Sequence, residues 1–193
     1  SIKDVEGNLY QGEAVPKALV DHYMKFFGTR GNINLQPTPD LFRNVLSSER
    51  ADYMVRQVTR EEIKQAMFSI SENKAPGPDG YTSAFFKHAW DIVGTEVTKW
   101  ILDFFDNSKM LQQINHTIIA LVPKNPSPNA VTDYRPISCC NVIYKCISKI
   151  LTDRIKGSLE YLVDINQSAF VPGRKITDNI LLTQELMHNY HLN

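Results

Sequence analysis

Two cations frame what this 193-residue chain can do chemically. Lys124 follows the β-branched run 117–123 (TIIALVP), and Arg135 sits in the short apolar return 134–137 (YRPI). Between them lies a stretch rich in Pro, Asn and Ser. Each cation therefore flanks one end of a long hairpin loop, and a β-hairpin can aim both at one point. Arg forks two N–H donors onto oxygens while Lys acts as a mobile point charge, so such a pair suits phosphate. The surrounding window, 120 to 156, holds Lys124, Arg135, Lys145, Lys149, Arg154 and Lys156 against Asp133 and Asp153 alone. Six cations against two anions leave a local charge of plus four, although the 21 basic and 21 acidic residues of the whole chain cancel. The excess has two readings. It can meet phosphates, or Lys145, Lys149 and Lys156 can form the solvated face of an amphipathic helix.

Other chemistries lack their parts. The sequence has no G-x-x-x-x-G-K-S/T loop and no G-x-S-x-G elbow. Its carboxylates include no Asp-Asp pair, and Asp52, Asp103 and Asp133 each stand alone before an aromatic residue. His188 and His191 are spaced to share one helix face, but no third ligand is near, so they read as surface histidines. Cys139, Cys140 and Cys146 include no C-x-x-C pair and are odd in number. They read as buried thiols of a reduced intracellular protein. The sequons at Asn115 and Asn166 read as chance matches, because no charged-then-apolar leader follows Ser1. The longest apolar run, Ile118 to Val122, falls far short of the roughly 20 residues that cross a bilayer. A hydrophobic fraction of 42% excludes a wholly disordered chain. A nuclear or cytoplasmic, non-secreted, non-membrane protein is expected, and a first residue other than Met suggests a piece of a longer one.

The elements that must position these residues follow from periodicity. Residues 1 to 58 carry scattered turn residues and one amphipathic stretch, Val15 to Phe27, broken by Gly28, Gly31, Pro37 and Pro39. They read as a connector that packs loosely or wraps another domain. Thr59 and Glu62 have capping-box spacing, and Ile63, Ala66, Met67 and Ile70 then mark one helix face. Two prolines and two glycines in 73–80 (NKAPGPDG) force a tight loop. An aromatic-rich helical region follows from Ser83 to Asp106, with Gly94 expected to divide it. After the hairpin, the apolar positions from Ile143 to Leu162 predict one long amphipathic helix. Residues 167–175 predict a turn. A last helix is expected from Thr177 to about Tyr190, burying Ile180, Leu181, Leu186 and Met187. The order predicts an α+β, mostly helical fold with one hairpin and a sheet left unfinished.

Three stretches, 73–90 (NKAPGPDGYTSAFFKHAW), 119–137 (IALVPKNPSPNAVTDYRPI) and 167–180 (QSAFVPGRKITDNI), occur in this order in non-LTR, LINE-type retrotransposon reverse transcriptases. The chain resembles the plant members most, strongly over 59–193 and more weakly over 1–58, which is similar to the family's linker before the polymerase. The resemblance implies the fingers of a right-hand polymerase with an incomplete palm. It implies that Lys124 and Arg135 hold the triphosphate of the incoming nucleotide. Lys74, Gly77, Asp79 and Gly80 would lie near the template, although the glycines alone can equally serve the turn. Gln167, Phe170, Gly173 and Arg174 would pack against the template strand and nascent base pair, Phe170 being otherwise simple core.

The family's reaction is phosphoryl transfer by two Mg²⁺ ions held by carboxylates. The family places these on a strand with an Asp and on an aromatic-x-Asp-Asp hairpin. Neither is found in this sequence, so no catalytic residue and no cofactor is assigned to this chain. Mg²⁺ is expected only in the full-length polymerase. RNA template, DNA primer and deoxynucleoside triphosphate are the implied partners, and no polymerisation by the isolated chain is expected. A non-enzymatic RNA-binding module and a decayed retroelement product are the alternatives. Apolar surface left uncovered near the C-terminus is also expected.

Overall fold

The computed structural model describes residues 1–29, 44–164, 166–168 and 171–188. Over the described residues it is mixed α and β, mostly helical, with two small antiparallel sheets. Helices α3 (Arg60–Ser69), α4 (Ser83–His88), α5 (Trp90–Asn107) and α7 (Val142–Lys156) enclose the main core. The start of α3 is set by Thr59, whose Oγ1 accepts from the Glu62 N–H at 3.2 Å. From there Ile63, Ala66 and Met67 turn inward against Val97 and Ile101 of α5 and Val142, Cys146, Ile147 and Ile150 of α7. Each such large aliphatic side chain contributes about 1.5–3 kcal/mol on burial. Cys146 is fully buried and directs its thiol at the Ile63 carbonyl, 3.6 Å away. That burial pushes its pKa up to about 12. Cys139 and Cys140 are only half-buried, against the expectation for all three thiols.

The helices break at places other than those expected. The aromatic-rich region divides at Ala89, not at Gly94, which sits inside α5. A Cβ at Gly94 would lie 2.7 Å from the Trp90 indole, so this glycine makes room for an aromatic ring within one helix. The long C-terminal helix also divides, α7 ending before Gly157 and α8 spanning Leu159–Leu162. The last helix, α9 (Ile176–His188), buries none of its residues. Ile180, Leu181, Leu186 and Met187, expected inside, are all exposed, because no described element packs closely enough on α9 to cover them. No helix among the described residues is long and apolar enough to cross a membrane.

The second sheet pairs β3 (Thr117–Pro123) with β4 (Tyr134–Cys140), in a register running from Thr117 opposite Cys140 to Pro123 opposite Tyr134. β4 is longer than its apolar core predicts. Ile118, Val122 and Ile137 are exposed on one face and Ile119 on the other, so this hairpin has little core of its own. A short α6 (Gln112–Asn115) leads into it, and α7 follows directly from it.

Part of the segment read as a connector is folded onto this hairpin. β1 (Ile2–Lys3) pairs with β2 (Leu9–Tyr10), and α1 (Ala14–Gly28) follows. Ile2 and Ala18 bury against Val131 of the hairpin loop, with Tyr10, Val15, Leu19 and Tyr134 around them. Further on, α2 (Ser48–Val55) packs beside α7.

Candidate functional site

The hairpin ladder continues one step past its last formal pair, the Lys124 N–H donating to the Asp133 carbonyl at 2.7 Å. Lys124 thus stands opposite Asp133, and Val122 stands opposite Arg135. Side chains alternate faces along a strand, so Lys124, two residues beyond Val122, shares a face with Arg135. Such diagonal neighbours lie roughly 7–8 Å apart. Both are exposed. Lys124 Nζ donates to the Thr132 carbonyl at 2.7 Å, whereas Arg135 makes no side-chain hydrogen bond or ion pair among the described residues. The loop between them is shaped by Asp133, whose Oδ2 accepts from the N–H groups of Asn129 (2.8 Å) and Ala130 (2.9 Å). Those two bonds, with a smaller pull from Lys124, hold the Asp133 carboxyl below its usual range.

The Pro/Gly loop lies at the other end of the hairpin. Its turn closes with the Gly80 N–H donating to the Gly77 carbonyl at 3.0 Å. Gly80 has a φ of +76°, which favours glycine, and Asp79 Oδ1 accepts from the Tyr81 N–H at 3.1 Å. Gly77 is buried against Asn141, where a Cβ would fall 2.2 Å from Oδ1 and 2.4 Å from the backbone N. Asn141 is itself 3% exposed. Its Oδ1 accepts from the Asp79 N–H at 3.3 Å, and its Nδ2 donates to the carbonyls of Gln113 (2.9 Å) and Ile114 (3.3 Å). One side chain thus ties loop, α6 and the start of α7 together. Lys145 adds a second tie, donating to the Ala75 carbonyl at 2.5 Å. Neither Asn141 nor the Lys145 tie is evident from sequence, since their partners lie 27 or more residues away.

Lys74, Asp79 and Gly80 are exposed. The loop and the hairpin tip do not meet at one point, because Asn141 lies six residue steps of extended chain beyond Arg135, about 20 Å. An open groove of about 530 Å³ runs beside the loop, lined by Ser71, Lys74, Ser138, Tyr144, Lys145 and Lys149 among others, with no carboxylate in its lining.

The remaining candidates behave differently from one another. Arg174 spends its guanidinium on three carbonyls of its own loop, those of Asp164 (2.5 Å), Gln167 (2.8 Å) and Val163 (3.2 Å). Gly173 is exposed with a φ of +81°, and Gln167 is exposed. Phe170 and His191 lie outside the described residues, and His188 is exposed. In the basic window, Lys149 pairs with Asp153 on the same helix at 2.5 Å, and Lys156 is solvated. Arg154 leaves the phosphate-facing set altogether. It is 6% exposed, and both carboxylate oxygens of Glu62 receive it at 2.8 Å. It also donates to the carbonyls of Met54, Arg56 and Gln57. These bonds from Arg154 hold the Glu62 carboxyl below its ordinary range despite partial burial.

No family model matches the chain. It is 31% identical over 144 residues to the uncharacterized 149 kDa protein of transposon TX1 from Xenopus laevis, a match covering 75% of this chain and 11% of that protein. It is 24% identical over 134 residues to the retrovirus-related Pol polyprotein of the type-2 retrotransposable element R2DM from Drosophila melanogaster, covering 69% of this chain and 12% of that protein. The chain spans about a tenth of the length of these two curated relatives. It is thus related in sequence to proteins of transposable elements.

Proposed function

We propose that this chain is the fingers portion of an RNA-directed DNA polymerase of a non-LTR retroelement, of the plant-like kind its motifs resemble. In this reading Lys124 and Arg135 grip the triphosphate of the incoming nucleotide. The observation that carries it is their position on one face at the hairpin tip, both exposed and Arg135 with its donors unspent among the described residues. Arg135 forks onto phosphate oxygens while Lys124 exchanges the neutral Thr132 carbonyl for a charged acceptor, a stronger bond. The template strand passes the other end of the hairpin. There Gly80 is the approach point, since nothing lies within 4 Å of where its Cβ would be. Gly77 is already filled by Asn141 and acts by holding the loop in place. Lys74 and Asp79 flank that approach. Gln167, Phe170, Gly173 and Arg174 belong to the template side, and Arg174 must release its three carbonyls before it meets phosphate.

The two Mg²⁺ ions that such a reaction uses do not fit the residues present. Among the described residues no group of three or more His, Cys, Asp or Glu side chains could hold a metal ion, and the sequence has no Asp-Asp pair. Metal chemistry is therefore assigned to other parts of a full-length polymerase, and this chain alone supplies binding. Titration of the purified chain with a deoxynucleoside triphosphate tests the reading. Lys124→Ala/Arg135→Ala is expected to weaken binding at least tenfold, and primer extension by the chain with Mg²⁺ and an RNA template is expected to stay at buffer level. Equal nucleotide affinity in wild type and double variant, or no affinity in either, overturns it. The groove lined by Lys74, Lys145 and Lys149 favours one second reading, a non-enzymatic RNA-binding module. That module would bind RNA with steep salt dependence and nucleotide not at all.

A further inference from the structure

A two-stranded hairpin exposed on both faces is marginal in water and does not by itself hold its tip in one place. The tip of this one is held from outside. The Lys3 N–H donates to the Asn129 carbonyl at 2.8 Å, and Lys3 bridges Ala130 in parallel register. Val131, near the end of the loop, is fully buried with Ile2 and Ala18. From α1 the Tyr23 hydroxyl reaches two backbone carbonyls, Val131 at 3.5 Å and Tyr134 at 3.2 Å. These two carbonyls bracket the turn that follows Lys124's partner loop and precedes Arg135. Every one of these contacts falls between residues 129 and 134, inside the loop bounded by the two cations.

We infer that the unit formed by residues 1–28 positions the anion-gripping tip, with Tyr23 as the positioning residue that fixes the spacing of Lys124 and Arg135; this rests on the nucleotide-binding reading above. The unit touches no ligand itself. It holds the loop between β3 and β4 from outside, and it makes two solvated cations a preorganised pair. Tyr23 suits this because its ring is buried while its hydroxyl stands at the one place where the loop backbone returns to β4. A hydroxyl proton shared between two carbonyls sets a distance that an apolar contact alone leaves loose.

The test uses the full chain and a deoxynucleoside triphosphate as probe. Tyr23→Phe keeps the ring and removes the one hydroxyl proton that the two carbonyls share. The expected result is a dissociation constant raised roughly threefold to tenfold, the size of one lost hydrogen bond. Affinity for a short RNA, which meets the loop at the far end of the hairpin, is expected to stay within twofold. Amide exchange is expected to quicken over 124–135 and not in α3, α5 or α7. Ile2→Ala, which trims the same cluster from β1, is expected to reproduce the pattern. Val20→Ser, on the exposed side of α1, is expected to change neither. If Lys124→Ala/Arg135→Ala loses nucleotide while Tyr23→Phe and Ile2→Ala bind within twofold of wild type, the inference fails and the nucleotide reading stands. Exchange that accelerates evenly through the whole chain in both variants also overturns it, since the unit would then serve global stability. Wild-type chain that binds no nucleotide overturns both.

Discussion

The helical core and the hairpin use the same kinds of charged residue to opposite ends. In the core, Arg154 is enclosed by Glu62 and three backbone carbonyls, and its charge is entirely consumed. At the hairpin tip, Arg135 is exposed with its donors unspent among the described residues, and Lys124 holds a neutral carbonyl. Sequence position does not distinguish them, for both arginines fall in one basic window. What separates them is cover. Arg154 lies on the face of α7 that packs toward α2 and α3, whereas Arg135 lies on a strand face left exposed among the described residues. The contrast teaches that a basic window has to be divided by burial before any of it is assigned to a ligand.

The largest expected effect breaks the core side of this contrast. Glu62→Gln leaves Arg154 buried without its counter-charge and is expected to cost about 3–5 kcal/mol in chemical denaturation. Glu62→Gln with Arg154→Met is expected to recover much of that, because replacing a buried pair is cheaper than halving it. A loss under about 1 kcal/mol for Glu62→Gln would mean the pair is worth no more than a surface one. The same carboxylate sets an acid response. Its pKa is lowered in the folded chain, so its stabilisation is complete above the ordinary Glu value of about 4.3. It is lost as pH falls through the lowered folded value. The stability gap between wild type and Glu62→Gln is therefore expected to be constant from pH 7 to 5 and to narrow in stronger acid. A gap that widens there would contradict the sign.

A middle-sized effect concerns the joint between the two regions. Gly77→Ala places a methyl group into the backbone of Asn141 and is expected to cost about 1–3 kcal/mol, as overpacking does. Gly80→Ala meets no neighbour, and its strain from a positive φ is about 1–2 kcal/mol. Measuring both in one denaturation series separates packing from backbone conformation. The smallest effect sharpens the hairpin side. Arg135→Ala is expected to move stability by less than about 0.5 kcal/mol, as an uncovered surface residue does. A larger loss would show that Arg135 has a structural partner and is no free gripping group.

The parts legible in the sequence are those whose partners are near in the chain. The capping pair at Thr59, the inward face of α3, the Pro/Gly turn and the two strands all follow from spacings of a few residues. The sharing of one face by Lys124 and Arg135 needed the register, which the long loop between them conceals. Three features escaped for the same physical reason, distance along the chain. The Glu62–Arg154 pair spans 92 residues, the Asn141 tie to Asp79 spans 62, and Tyr23 reaches 111 residues to Tyr134. Periodicity reports which face of a helix is apolar and says nothing of what will cover it. α9 illustrates this, since its apolar residues follow the pattern of a buried helix and remain exposed.

The three cysteines have a practical corollary. With its proton held to pH values near 12, the Cys146 sulfur offers essentially no thiolate to an alkylating reagent at neutral pH while α3 and α7 stay together. Cys139 and Cys140, at the foot of β4, are accessible without such separation. A single maleimide time course therefore carries two clocks, a fast one for breathing of the strands and a slow one for rupture of the interior.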